Sequence, residues 1–168
     1  MRMFGLVIAL MLFSSPAPAE PLKAAVFDLE LLDTSLQGEM KGPQVDEQRR
    51  LKDVTEQLRK GLTDAGKFVV VDVAPVNAAA HANNLQACGG CDVQYAQRLG
   101  ADIAITGVVQ KVSALILNMN IYLRDAQTGQ LIKAMSADFR SNTDESWSRA
   151  MSYLLKNRLL APNYGAPQ

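Results

Sequence analysis

Two acidic residues, one histidine and one Cys-x-x-Cys hold most of the chemistry open to this chain. Asp28 and Glu30 stand two apart in Phe27-Asp28-Leu29-Glu30. On a strand that spacing puts both carboxylates on one face, where they could share general acid and base work or hold a cation. No third ligand is placed beside them by spacing, so the simpler reading is a strand running out into a polar loop. Both cysteines of the chain fall in Cys88-Gly89-Gly90-Cys91. In an oxidising compartment they most simply bond to each other. So short a loop returns only about 2 kcal/mol by the chain-entropy estimate, which leaves cycling between dithiol and disulfide as an alternative. A metal site is the third reading and would recruit His81, the only histidine, seven residues before Cys88. Haem attachment in its usual form is excluded, because Cys91 is followed by Asp92 and not by histidine. Ser113, Ser136 and Ser146 lie in no nucleophile elbow, so hydrolase or transferase chemistry finds no support.

The elements that must position these groups follow from hydrophobic period. Leu22 to Leu32 reads as a first strand, continuous and apolar at the start, alternating at the end. Asp33 to Gln44 has the composition of a loop. Asp46 then opens a helix with Leu51, Val54, Leu58 and Leu62 on one stripe, its interspersed charges forming a solvated face. Lys67 to Asp72 reads as a short buried strand, Pro75 to Ala80 as a short helix, and Asp92 to Leu99 as the helix entered from the cysteine pair. Ala101 to Gln110 is a central strand. Val112 to Arg124 and Gln130 to Arg140 alternate with a period of two and flank Asp125-Ala126-Gln127-Thr128-Gly129, which predicts an antiparallel hairpin. Leu115, Leu117, Met119, Ile121 and Leu123 form its core face on one strand, with Leu131, Met135, Ala137 and Phe139 on the other. Asn118, Asn120 and Tyr122 turn outward. Asn142 is placed to cap a closing helix, with Glu145 reaching back to it and Trp147, Met151, Leu154 and Leu155 packing inward. The sum is a single mixed α/β sheet of about five strands flanked by helices, with a C-terminal antiparallel hairpin and a closing helix.

Length and charge bound the rest. The chain has 168 residues, 48% of them hydrophobic, enough for one domain with a sizeable core. Lys plus Arg equals Asp plus Glu at 17 each, so no field of one sign would gather nucleic acid. Met1-Arg2-Met3, the apolar run Phe4 to Phe13 and Ala17-Pro18-Ala19 read as a secretory signal peptide cut after Ala19. The apolar run is too short to span a bilayer. This divides the chain into a signal peptide at 1–19, one mixed α/β domain at 20–162 and a tail at 163–168, with the mature protein in the periplasm.

Several motifs together resemble a known family. Gln97-Arg98-Leu99-Gly100-Ala101-Asp102, Thr106-Gly107-Val108-Val109-Gln110-Lys111-Val112-Ser113, Arg124-Asp125, Thr128-Gly129 and Arg140 to Trp147 closely resemble secreted proteobacterial proteins of unknown function. The Cys88 to Cys91 pair and Phe27-Asp28-Leu29-Glu30 fit the same pattern, so the resemblance covers nearly the whole mature chain. At greater distance the layout is similar to the small α/β domain of the Tol-Pal propeller protein, the curli secretion lipoprotein and penicillin-binding-protein activators. That resemblance implies an envelope docking module and no reaction. The family resemblance also points to periplasmic quinoprotein alcohol oxidation as a partner system.

The expectation is therefore an exported accessory protein that binds an envelope protein, with no catalysis, cofactor or metal, no nucleic acid and no membrane span. The candidate partner surface is Asn118, Asn120, Tyr122, Arg140, Asp144 and Trp147, beside the Cys88 to Cys91 loop. For Arg140 to Ser146 helix capping is the simpler account. The alternative is a thiol-disulfide protein using Cys88 and Cys91. A deep, water-excluding cleft lined by Asp28, Glu30 and His81 would overturn the contact reading.

Overall fold

The computed structural model describes residues 20–161. The expected signal peptide at 1–19 and the expected tail at 163–168 lie outside the described residues. In chain order the elements are β1 (Leu22–Val26), β2 (Glu30–Asp33), α1 (Leu36–Lys41), α2 (Val45–Asp64), β3 (Phe68–Val71), α3 (Ala74–His81), α4 (Cys91–Arg98), β4 (Ile103–Lys111), β5 (Leu117–Asp125), β6 (Leu131–Phe139) and α5 (Asp144–Leu154). A π-helical turn, Leu155–Leu159, extends α5. They build one mixed sheet in the order β3-β1-β4-β5-β6, with β2 also paired to β4. β1, β2 and β3 run parallel to their neighbours, and β5 and β6 are antiparallel. The mixed α/β class read from the sequence is what the chain adopts.

Two cores lie on opposite faces. On one, Leu51, Val54, Leu58 and Leu62 of α2 and Trp147, Met151 and Leu154 of α5 pack on Ile105, Val109, Met119, Ile121 and Met135. On the other, α3 and α4 cover only the parallel half, through Val76, Ala80, Tyr95 and Ala96 over Ala25, Phe27 and Ala104. Helix α4 reaches no further than the end of the hairpin, where Gln97 Nε2 donates to the Ala126 carbonyl at 2.6 Å and Asp92 lies 3.4 Å from Arg124. Beyond that line the outer face of β5 and β6 is half-exposed.

Five local expectations are corrected. The first strand is not continuous: Val26 pairs with Ile105 and Glu30 with Val108, so one extra residue is accommodated between β1 and β2. The bulge reverses the alternation, sending Ala24 and Val26 and then Leu29 and Leu31 to the α2 side. Gly107 makes room for it, since a Cβ there would stand 2.7 Å from Leu29 Cγ. Within Asp33 to Gln44 a short helix forms, because Ser35 Oγ caps the Gly38 amide at 3.1 Å. β3 is an edge strand and half-exposed, not buried. Leu115 is 65% exposed in a tight turn that Ser113 Oγ closes on the Leu115 and Ile116 amides, and Leu131 lies past a register shift and is 49% exposed. The cap of α5 is Thr143, whose Oγ1 accepts from the Ser146 amide at 3.3 Å, while Glu145 pairs forward with Arg149 at 2.6 Å.

Candidate functional site

The outer face of the hairpin gathers three of the residues singled out from sequence. Asn118, Asn120 and Tyr122 stand opposite Asp138, Ser136 and Ala134 on β6, so they form one row of cross-strand pairs. Asn118 Nδ2 donates to Ser136 Oγ and to Asp138 Oδ1, both at 2.7 Å, and Asn120 Nδ2 donates to Asn118 Oδ1. The polar row is thus pre-ordered by its own side chains. At one end it meets exposed Ile116 and Val112, which with Gln110, Phe139 and Arg140 line a shallow hollow of about 440 Å³. An ordered polar row beside exposed aliphatics is the composition of a contact surface.

The other three residues separate. Arg140 is exposed and lies between this hollow and a second one along β6. Asp144 is exposed but committed, since it accepts from Arg49 at 2.9 Å and from Arg50 at 2.7 Å and so fastens the start of α5 to α2. The hydrogen bonds from Arg49 and then Arg50 hold its carboxyl below the ordinary aspartate range. Trp147 cannot meet a partner: it is fully buried, with Phe139 edge-on at 6.1 Å between ring centres. Its Nε1 donates to Asn142 Oδ1 at 2.8 Å.

Asp28, Glu30 and His81 do meet, though not as a paired-carboxylate face. The chain leaves β1 toward α2 on one side of the sheet and leaves β3 toward α3 on the other. A crevice opens between the carboxyl ends of the two strands, where ligands bind in open α/β sheets. It encloses about 590 Å³ and is lined by Asp28, Glu30, Lys52, Arg59, Asp72 and His81 among others. Asp28 is taken up on both oxygens, by Arg59 at 2.8 Å and by His81 Nε2 at 2.9 Å. Arg59 also holds the Val26 carbonyl at the end of β1 at 2.8 Å. Glu30 turns the other way and accepts from the Leu85 amide at 2.9 Å. Burial raises its pKa, against the Leu85 amide and the charge of His81. The crevice stands open, with the His81 side chain 59% exposed, so it is not the water-excluding cleft that would imply catalysis. Among the described residues no group of His, Cys, Asp and Glu is arranged to hold a metal.

Cys88 and Cys91 are bonded, with Cα atoms 5.7 Å apart, and Cys91 begins α4. Cys91 belongs to the second core and Cys88 is half-exposed at its margin. His81 is engaged by Asp28 instead of by the cysteines.

One constellation was not anticipated. Lys111 is completely buried and donates to Glu47 at 2.6 Å, Asp33 at 2.9 Å and Gln37 at 3.2 Å. Glu47, 1% exposed, also accepts from Asn142 at 2.7 Å. This knot ties α1, α2, β4 and the β6 to α5 connection together. Its signal was parity: Lys111 follows Ile103, Ile105 and Val109 on the inward face of β4.

A family model described as "Protein of unknown function (DUF2380)" matches residues 22–159. The chain belongs to this family. The resemblance read from its motifs is thereby borne out. No curated protein matches it. Among solved structures, the LpoB C-terminal domain from Salmonella enterica superposes with a TM-score of 0.51 at 17% identity, covering 72% of this chain and 84% of that one. The LpoB C-terminal domain from Escherichia coli gives 0.50 at 17% identity, over 75% and 87%. Lipoprotein GNA1162 from Neisseria meningitidis gives 0.50 at 18% identity, over 82% and 93%. At such identities the likeness is one of fold. Among the described residues of this member no helix is long and apolar enough to cross a membrane.

Proposed function

We propose that this family member is an exported binding module of the bacterial envelope that works by contact with a protein partner and carries out no reaction of its own. The observation that carries the reading is the uncovered outer face of β5 and β6, with Asn118, Asn120 and Tyr122 in an ordered row beside exposed Ile116 and Val112. The opposite polar concavity supports it indirectly, because Asp28 is already spent on Arg59 and His81. The partner is an envelope protein, and the quinoprotein alcohol-oxidation system implied by the family resemblance is the first to test. Export is part of the same reading: N-terminal sequencing of the secreted protein should begin at Glu20.

The test is site-specific photocrosslinking in the periplasm. A crosslinker at Tyr122 should give a discrete adduct that disappears with Ile116→Asp, while one at Lys52, at the crevice beside α2, should give none. Equal labelling from both positions, or no adduct from Tyr122, would remove the hairpin face from consideration.

A second reading rests on Cys88, which is half-exposed and whose Sγ accepts from the Cys91 amide at 3.2 Å, a contact that would favour a thiolate once the bond is reduced. A reduction potential well below about −300 mV would mark the bond as inert and end that reading.

A further inference from the structure

β6 is the outer strand of the sheet and, among the described residues, pairs only with β5. The main-chain pattern says which of its groups are spent. The Val112 amide donates to the Ile116 carbonyl and the Ala126 amide to the Asp102 carbonyl, so even-numbered residues of β5 exchange hydrogen bonds with β4. Odd-numbered residues of β5 therefore turn to β6, as Asp125 does when its amide donates to the Gln130 carbonyl. Their partners Met135, Ala137 and Phe139 are satisfied. The amides and carbonyls of Ala134, Ser136 and Asp138 point outward and meet no strand among the described residues.

The edge also has a floor. Beside it, β6, helix α5 and the π-helical turn line an open slot of about 600 Å³, formed by Ser136 to Arg140, by Ser146, Arg149, Ala150 and Tyr153, and by Arg158. Three of these residues are arginines and one, Asp138, is acidic. Two of the arginines are held in place, Arg149 by Glu145 at 2.6 Å and Arg158 over the Tyr153 ring at 5.5 Å.

We propose that the slot between β6 and α5 binds an extended, acidic segment of the partner protein, which adds to the sheet as a further strand. The outward groups of Ala134, Ser136 and Asp138 would supply its main-chain hydrogen bonds, and Arg140, Arg149 and Arg158 would select acidic side chains. Pairing of β6 with a second copy is opposed by the same charges, since a two-fold axis at the edge would bring two sets of arginines together. This inference rests on the contact reading above and deepens it. The slot joins the hairpin face through Ser136 and Asp138, both bonded to Asn118.

The experiment is a fluorescence anisotropy titration of the purified protein with a labelled, end-blocked nine-residue peptide alternating valine and aspartate. Saturable binding that weakens as salt rises is expected, and a peptide with lysine for aspartate should not bind. Ala134→Pro removes an outward amide without touching the β5 ladder, so it should weaken binding on the order of ten-fold or more with little change in melting temperature. Arg149→Glu with Arg158→Glu should do the same where the proline variant folds poorly. Absence of binding, equal binding of the lysine peptide, or indifference to both variants would overturn the proposal. Binding seen only after deletion of residues 162–168 would overturn it in favour of this chain's own tail as occupant. Dimerisation that Ala134→Pro abolishes, without peptide binding, would overturn it in favour of a second copy. A missing cellular adduct at Tyr122 with intact peptide binding sinks the hairpin-face reading alone.

Discussion

Replacing Lys111 with methionine removes the cation at the centre of the buried knot and leaves its anion behind. Glu47 is 1% exposed, and without the ammonium its carboxylate keeps, among the described residues, only the hydrogen bond from Asn142. Breaking a buried pair from one side costs about 3–5 kcal/mol, because a charge stays in a low dielectric without its counter-ion. At about 2–4 °C per kcal/mol for a chain of this size, the melting temperature should fall by roughly 6–20 °C. Adding Glu47→Gln should restore most of the loss, since the amide oxygen can still accept from Asn142 and no charge is stranded. Asp33 tolerates the change because Ser35 donates to it from its amide at 2.9 Å and it is partly open to solvent. Urea unfolding followed by circular dichroism, run as a double-mutant cycle, measures the coupling. A single variant that costs under about 1 kcal/mol, or a double variant no better than additive, would refute the account of Lys111 as a paired buried charge. The pH dependence carries the same sign. Burial disfavours the Lys111 ammonium, but Glu47 and Asp33 outweigh it and raise its pKa, so its contribution is complete below the ordinary lysine range and is lost as pH rises through the raised value. Burial would raise Asp33, but hydrogen bonds from Ser35 and Lys111 hold it below the ordinary aspartate range, so its contribution is lost as pH falls through that depressed value.

Other changes test separate parts of the structure. Glu30→Gln should stabilise the protein at pH 7 by less than about 1 kcal/mol after solvent screening, because burial holds the Glu30 pKa up and the folded state pays for its charge; the gain should vanish near pH 3, where thermal melts would show wild type and variant together. Gly107→Ala should cost about 1–3 kcal/mol of stability, read from urea unfolding, since the new Cβ would lie 2.7 Å from Leu29 and 2.8 Å from Ile121 at the bulge. Cys88→Ser with Cys91→Ser should cost only about 2 kcal/mol and leave the far-ultraviolet dichroism unchanged; loss of the folded spectrum would show that the bond does more than close a short loop.

What the sequence showed clearly was whatever obeys a period without interruption. The hairpin was legible because Leu117, Met119, Ile121 and Leu123 alternate with Asn118, Asn120 and Tyr122 and the turn closes on Gly129. The stripe of α2 was legible for the same reason. The first strand was misread because one inserted residue between Val26 and Glu30 reverses inside and outside, and no residue type announces a bulge. The cap of α5 was misplaced by one residue because Asn142 and Thr143 are both good caps, and only the fold shows that Asn142 is spent on Glu47 and Trp147. The meeting of Asp28 with His81, 53 residues apart, follows from crossovers on opposite sides of the sheet and left no trace in spacing.

The placement of the candidate surfaces has a cause in strand direction. Parallel strands need crossover connections, and here α2 crosses one face between β1 and β3 while α3 and α4 cross the other between β3 and β4. The parallel half of the sheet is therefore covered on both sides by the segments that build it, and its polar side chains are consumed there, Asp28 by Arg59 and His81 and Glu30 by the Leu85 amide. The hairpin needs only the turns at Ser113 to Ile116 and Ala126 to Gln130, so nothing in its connectivity lays a helix over its outer face. Helix α5 arrives afterwards and packs on the inner face of β6, where Trp147 and Met151 close the first core. An ordered polar row and an open main-chain edge are thus left on the same two strands by a single topological fact, and a partner that used one would come within reach of the other.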